Sequence, residues 1–276
     1  DEETAAIRFC AENYEKFVLV INCGSAMDMT FAEDIPGINA IVYICQPGSQ
    51  GGLAVADVLS GAVCPSGKLT DTWAKKYDDI PFANEYSHRN GDLKQENYRE
   101  GIFVGYRYFD SFDVEPAYPF GFGLSYTDFE ISCAGGAVIG SKVRLQANVT
   151  NTGDCAGKEV VQLYVSAPEG ELNKEYQSLA TFEKTGLLQP GGSETMTLEF
   201  DLTAVSSYRE RDNCFVLERG DYVLRLGNSS RNTAVAAVVV LPEEIIVSRH
   251  QAICPVQQPL EELQAPAREA EALPEG

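Results

Sequence analysis

The sequence predicts an α/β segment followed by an all-β sandwich of immunoglobulin or fibronectin III type. Three observations carry this. Helical periods and continuous apolar runs alternate through the first sixty residues. From about Phe129 the apolar period becomes two. Turn residues then punctuate the chain at regular spacing.

Glu3 to Glu15 places Ile7, Cys10 and Tyr14 on one helical face. Phe17-Val18-Leu19-Val20-Ile21 is a continuous, partly β-branched apolar run, as expected of a parallel strand buried on both faces. Ala40 to Ile44 is a second such run, closed by Gln46-Pro47-Gly48. Leu53 to Leu59 reads as an apolar helix stopped at Gly61. This is too short for a complete doubly wound sheet and looks like the end of one.

Residues 65–128 carry little periodicity. Asn84 to Asn97 is polar and reads as an exposed loop. Tyr98 to Tyr126 is dense in aromatics and glycines, as expected of an ordered connection packed on something large. Val143–Val149, Val161–Val165, Thr195–Phe200 and Tyr222–Leu226 then alternate as strands, with Val235–Leu241 expected to be the last. Asn151-Thr152-Gly153-Asp154, Pro190-Gly191-Gly192 and Arg219-Gly220-Asp221 supply the turns. The expected division is therefore 1–128, 129–241, and a linker or tail over 242–276, rich in Pro, Gln, Glu and Ala. Within that tail, the apolar patches Ile245–Val247 and Ile253–Val256 are candidates for docking on a neighbour.

The chain has 276 residues, 44% hydrophobic and 22% charged, with a formal net charge of −20. A field of that sign repels phosphate backbones and argues against nucleic-acid binding. No apolar stretch reaches the ~20 residues a transmembrane helix needs. The eight cysteines lack a C-x-x-C pair, and several sit in apolar runs. They are expected to be reduced, buried thiols of a bacterial-type cytoplasmic protein.

Residues 61–69, Gly61 to Leu69, fail as a phosphate loop: the glycine spacing is one residue too long, Leu69 stands where a Ser/Thr belongs, and Pro65 removes a backbone N–H. A turn at Pro65-Ser66-Gly67 is the reading kept. Gly121-Phe122-Gly123 lacks the third glycine of a dinucleotide fingerprint. His88 and His250 are the only histidines and fall in loop or linker, which leaves little for a zinc site or a Ser-His-Asp triad. Cofactors and metals are expected to be none. Among the many carboxylates, Asp28, Glu100, Asp110 and Asp113 are candidates for the paired geometry of glycoside hydrolysis, though sequence spacing selects no pair among them. Cap, turn or solvated charge is the ordinary role for each, and Asp28, just before a helix start, suits an N-cap.

Gln46 to Gly52 followed by Ala56-Asp57-Val58-Leu59 resembles the pattern PGQEGG…ADVL of glycoside hydrolase family 3. Cys64-Pro65-Ser66-Gly67-Lys68-Leu69-Thr70-Asp71-Thr72-Trp73 is similar to that family's Asn-Pro-Ser-Gly-Lys-Leu-Pro-x-Thr-Trp/Phe, with cysteine in place of the asparagine. Tyr98 to Asp110 and Tyr118 to Tyr126 look like its EGIYVGYRYFD and YPFGYGLSYT signatures. Asn151 to Val165 resembles its fibronectin type III-like domain. These motifs run in series from Asp1 to Leu241.

The resemblance implies an architecture of (β/α)8 barrel, α/β sandwich domain and fibronectin-like domain, and retaining hydrolysis of terminal β-linked sugars as in β-glucosidases. It implies that the nucleophilic aspartate belongs to the barrel and the acid/base glutamate to the earlier part of the α/β domain. No catalytic residue is therefore assigned here. The implied partners are a β-glucoside, reached through the parent enzyme, and the barrel domain. The chain continues past Leu241, which suggests the permuted order in which the barrel follows. Arg107 is expected to anchor the connecting segment by charge-assisted hydrogen bonds. The alternative reading is a stand-alone carbohydrate-binding or adhesive module, which would show a stripe of exposed aromatics on its strands. A complete small hydrolase with its own carboxylate pair is the third. An unfinished sheet with an open edge would also favour self-association into a homo-oligomer.

Overall fold

The computed structural model describes residues 2–254 and 258–267. Residues 255–256 of the second apolar patch and the end of the tail lie outside the described residues.

The first half contains α1 (Glu2–Asn13), β1 (Val18–Ile21), a short α2 (Thr30–Glu33), β2 (Ala40–Tyr43) and α3 (Gly51–Leu59). β1 and β2 pair in parallel, with Ile21 opposite Tyr43. The expectation of strands buried on both faces is corrected. Ile21 is buried, whereas Val18 and Val20 are exposed. The reason is coverage: a small cluster of Ile21, Met29 and Trp73 packs one side, and no third strand joins this sheet among the described residues. α3 is apolar as read, yet Leu53 is 66% exposed and Leu59 48%.

The second half is built from β3 (Phe129–Ile139), β4 (Lys142–Asn151), β5 (Val160–Ser166), β6 (Ser178–Lys184), β7 (Ser193–Asp201), β8 (Ser207–Arg209), β9 (Cys214–Leu217), β10 (Gly220–Ser229), β11 (Asn232–Leu241) and β12 (Ile245–Arg249). They form sheets of order β11-β10-β5-β6, β3-β4-β7 and β12-β9-β8. β4 shows the alternation that the sequence predicts, with Val143, Leu145, Ala147 and Val149 buried. These meet Val161, Leu163, Leu198, Leu224 and their neighbours in one core. Burial of such side chains contributes roughly 1.5–3 kcal/mol each.

Val235–Leu241 is a strand but not the last. Ile245–Arg249 of the presumed linker pairs antiparallel with β9, placing Ile245 opposite Leu217 and Ile246 opposite Val216. An apolar, β-branched triplet satisfies its backbone better on that open edge than in water. Further along, the Leu263 N–H donates to the Arg99 carbonyl (3.0 Å), and the Asn173 side chain bonds the Leu263 carbonyl and the Ala265 N–H. The described part of the tail is thus held against the fold.

The eight cysteines are free thiols, as expected, but burial holds only for Cys214. Cys45, Cys133, Cys155 and Cys254 are exposed, and Cys10, Cys23 and Cys64 half-buried. The apolar run of β2 ends at Tyr43, before Cys45, and Cys133 lies on the exposed length of an edge strand.

Candidate functional site

The connecting segment between the halves folds around α4 (Tyr106–Ser111). Its aromatics form two series of ring contacts, one toward β2 and one toward the sandwich. Tyr43 meets Trp73 edge-on at 5.1 Å, Trp73 meets Tyr118 at 6.2 Å, and Tyr118 stacks on Phe122 at 5.6 Å. Phe120 stacks on Tyr106 at 4.7 Å, and Tyr106 meets Tyr164 of the sandwich at 6.0 Å. Rings in these geometries add to the area they bury. Burial holds the Tyr164 phenol far above its ordinary pKa, and its hydroxyl donates to Gln162 Oε1 at 2.6 Å. The expectation of a connection packed against something large is met by the sandwich itself.

Gly121 and Gly123 mark two close approaches in the connecting segment. Gly121 has φ +78°, and a Cβ there would collide with the Gln162 amide. A Cβ on Gly123 would collide with the Gly67 carbonyl. These glycines serve packing, not a nucleotide.

Polar ties close the seam. Lys68 Nζ lies 2.7 Å from Glu159 Oε1, with side chains only 11% and 6% exposed, and donates to the Gly123 carbonyl at 3.1 Å. Glu159 also accepts from its neighbour's N–H at Val160 and from Asn228 Nδ2. The lysine of the rejected phosphate loop is therefore an anchor. At the other end Arg231, in the β10–β11 turn, grips α4. Its Nε lies 2.7 Å from Asp110 Oδ1, its guanidinium donates to the Phe109 and Val114 carbonyls, and a further nitrogen reaches Asp113 at 3.3 Å. Gln177 Nε2 donates to Asp110 Oδ2 at 3.0 Å, and the Tyr176 and Leu179 N–H groups donate to Ser111 and Tyr106. Burial pushes the Asp110 carboxyl up, against the pull of Gln177 and Arg231.

Asp28 accepts from the Thr30 hydroxyl (2.6 Å) and N–H (2.9 Å), which hold its carboxyl below the usual range; the N-cap of α2 is Met29, so the expected N-cap is corrected to a local turn bond from the residue before it. Asp110 and Asp113 come together, but around Arg231 rather than around a space for a sugar. Glu100 is half-buried in the loop before α4, where its carbonyl accepts from the Phe103 N–H. Arg107 makes an ion pair at 3.8 Å to Glu175 and lies 5.9 Å from the Tyr106 ring centre, and its side chain is 44% exposed, so the expected anchor role passes to Arg231. Nothing in the sequence singles out Arg231, since it sits in the polar turn Ser229-Ser230-Arg231-Asn232. Its role comes from Asp110, Asp113 and the carbonyls of Phe109 and Val114, which the fold brings against it.

His88 is tied into its loop, with Nδ1 at 2.7 Å from the Asp92 carbonyl and 3.1 Å from Glu96. His250 Nε2 bonds Ser248 at 2.8 Å. Among the described residues no group of three His, Cys, Asp or Glu is arranged to hold a metal, and no helix is long and apolar enough to cross a membrane.

This geometry matches known proteins over both halves. Residues 1–126 match the glycosyl hydrolase family 3 C-terminal domain, and residues 159–230 the fibronectin type III-like domain. The chain belongs to glycosyl hydrolase family 3. It is 39% identical over 263 residues to a β-glucosidase of Ruminococcus albus, covering 93% of this chain and 27% of that protein. A β-glucosidase structure from Paenibacillus barengoltzii superposes with TM-score 0.86 at 37% identity, covering 91% of this chain and 29% of that one. β-Glucosidase 3B of Thermotoga neapolitana, in complex with α-D-glucose, superposes with TM-score 0.81 at 38% identity, covering 89% and 34%. The family 3 chain thus spans about a third or less of the length of the relatives it matches.

The module reading is not favoured. Tyr208, Phe215 and His250 form the aromatic cluster of the β12-β9-β8 sheet, but Tyr208 and Phe215 are inclined at 55° and Phe215 and His250 at 86°. They pack on one another and share no plane on which a sugar face would lie.

Proposed function

We propose that this chain is the supporting, non-catalytic part of a retaining β-glucosidase-like enzyme, with the nucleophilic aspartate and the acid/base glutamate on segments that this sequence does not include. The observation that carries the reading is the contrast within the α/β half. β1 and β2 form a two-stranded parallel sheet with exposed valines, beside a helix whose leucines are also exposed. A longer sheet, as the family's α/β domain has, would cover those side chains. The candidate carboxylates support it: Asp28 bonds Thr30, and Asp110 and Asp113 pair with Arg231. In this reading the seam holds the sheet rigidly to the sandwich, so that the sheet's acid/base loop meets the barrel in one geometry, and pre-organisation of that loop is the chain's share of catalysis. The parent's substrate is a terminal β-glucoside, and it works in the cytoplasm; the relatives named for β-glucosidase activity and the eight free thiols support these two points.

The test is hydrolysis of a chromogenic aryl β-glucoside by the purified chain, alone and mixed with the complementary family 3 barrel segment. The expected result is no turnover alone and turnover on mixing. Turnover by the chain alone, above a mock purification, overturns the assignment.

A further inference from the structure

Two thiols from opposite sides of the seam bond the backbone of one residue, Tyr126. Cys64 follows α3 in the α/β half, and Cys155 lies in the loop between β4 and β5 of the sandwich. The Tyr126 N–H donates to Cys64 Sγ at 3.4 Å, and Cys155 Sγ donates to the Tyr126 carbonyl at 3.0 Å. Cys64 Sγ also lies 3.1 Å from Ser125 Oγ. Two residues beyond Cys155, a Cβ built on Gly157 would stand 3.3 Å from Cys64 Sγ. The β4–β5 loop therefore folds directly over Cys64. Cys155 is exposed and Cys64 half-buried, so an oxidant reaches the pair from the Cys155 side. Cys64 occupies the position at which the family pattern has asparagine, so one member of the pair replaces a residue that the fold accommodates without sulfur.

We propose that Cys64 and Cys155 are a covalent modification site: a dithiol that a peroxide converts to a disulfide spanning the seam. The thiolate of Cys155 attacks the peroxide O–O bond, which breaks to leave a sulfenic acid on Cys155 and hydroxide. Cys64 sulfur then attacks Cys155 sulfur; the S–S bond forms, the S–O bond breaks and water leaves. Overall, two thiols and one hydrogen peroxide give one disulfide and two waters, a two-electron oxidation of sulfur. Closing the disulfide requires Cys155 to give up its bond to the Tyr126 carbonyl and turn its sulfur toward Cys64. The closed loop spans about 90 residues, a length at which a cross-link restricts the unfolded chain strongly. The oxidised chain therefore has its two halves clamped, and a dithiol reductant releases them.

The experiment treats the intact chain with hydrogen peroxide, blocks remaining thiols with iodoacetamide, and digests with trypsin and Asp-N. Cys64 and Cys155 then fall on the separate peptides Asp57–Lys68 and Asp154–Lys158, each with one cysteine. The expected product is these two peptides joined, with loss of two hydrogens, and separated again by dithiothreitol. It is absent in Cys155→Ser and in Cys64→Asn, the second of which restores the family's residue and keeps the fold. The oxidised wild type unfolds several degrees higher than the reduced, and Cys155→Ser shows no such difference. Over-oxidised Cys155 beside alkylated Cys64, linkage of either to a different cysteine, or a linked product with unchanged Tm each overturns the proposal.

Discussion

β5 in the sandwich buries six of its seven positions, Val161 to Ser166, while β1 in the α/β half buries Ile21 and leaves Val18 and Val20 open. Both are rich in β-branched residues, but the sequence reads β1 as a continuous apolar run and Val161–Val165 as an alternating strand, the reverse of the burial observed. What separates them is the supply of neighbours. β5 lies between β10 and β6 with a second sheet across the core, whereas β1 has β2 as its partner. The sixteen-residue buried cluster of the sandwich against three residues in the α/β half expresses the same difference. A strand pattern specifies what a segment can bury; the rest of the chain decides whether it does.

The largest expected effect lies in the closed core. Leu163→Ala removes a fully buried side chain and should cost about 2–5 kcal/mol in denaturant unfolding. Leu53→Ser, on the exposed face of α3, should change unfolding little and reduce self-association of the isolated chain in sedimentation. Equal costs at the two sites would break the comparison.

Next come the ties across the seam. Lys68→Met strands the buried Glu159 carboxylate and should cost roughly 3 kcal/mol. The loss should appear as early release of residues 65–73 and 118–126 to limited proteolysis. Uniform destabilisation of the sandwich instead would show that the seam and the core unfold as one unit.

A smaller effect is expected from acid. Hydrogen bonding from Arg209 lowers the Asp212 carboxyl to about 2. Its stabilisation is therefore complete above the ordinary aspartate pKa of about 4 and lost as pH falls toward 2. Asp110 has the opposite sign, because burial raises its carboxyl: its favourable contribution is complete below the ordinary value and lost as pH rises through the raised one. Tm measured from pH 6 to 2.5 should fall less steeply in Asp212→Asn than in the wild type. Parallel curves would remove Asp212 from the account.

Arg107→Ala should have the smallest effect, under about 1 kcal/mol for a half-exposed pair at 3.8 Å. Arg231→Ala, which releases Asp110 and the carbonyls of Phe109 and Val114, should lower Tm measurably more. The reverse order would return the anchor role to Arg107.

Much of the fold was legible because period and turn chemistry are local. β4, β7 and β10 follow from alternation, and α1 and α3 from helical spacing and apolar content. β12 was hidden because Ile245-Ile246-Val247 is too short to show a period and stands among prolines; its partner β9 lies about thirty residues back. The seam was half legible. The aromatic density of Tyr98 to Tyr126 marked a packed connection, but pairs such as Lys68 with Glu159 or Arg231 with Asp110 join residues 91 and 121 positions apart. No local pattern encodes them.

Hydrogen exchange of the whole chain, with and without the complementary family 3 segment, tests the central contrast most directly. The account predicts strong protection of β4, β5 and β10 in the chain alone, with β1, β2 and α3 exchanging far faster and becoming protected on addition of that segment. Equal protection of both halves in the chain alone would contradict it.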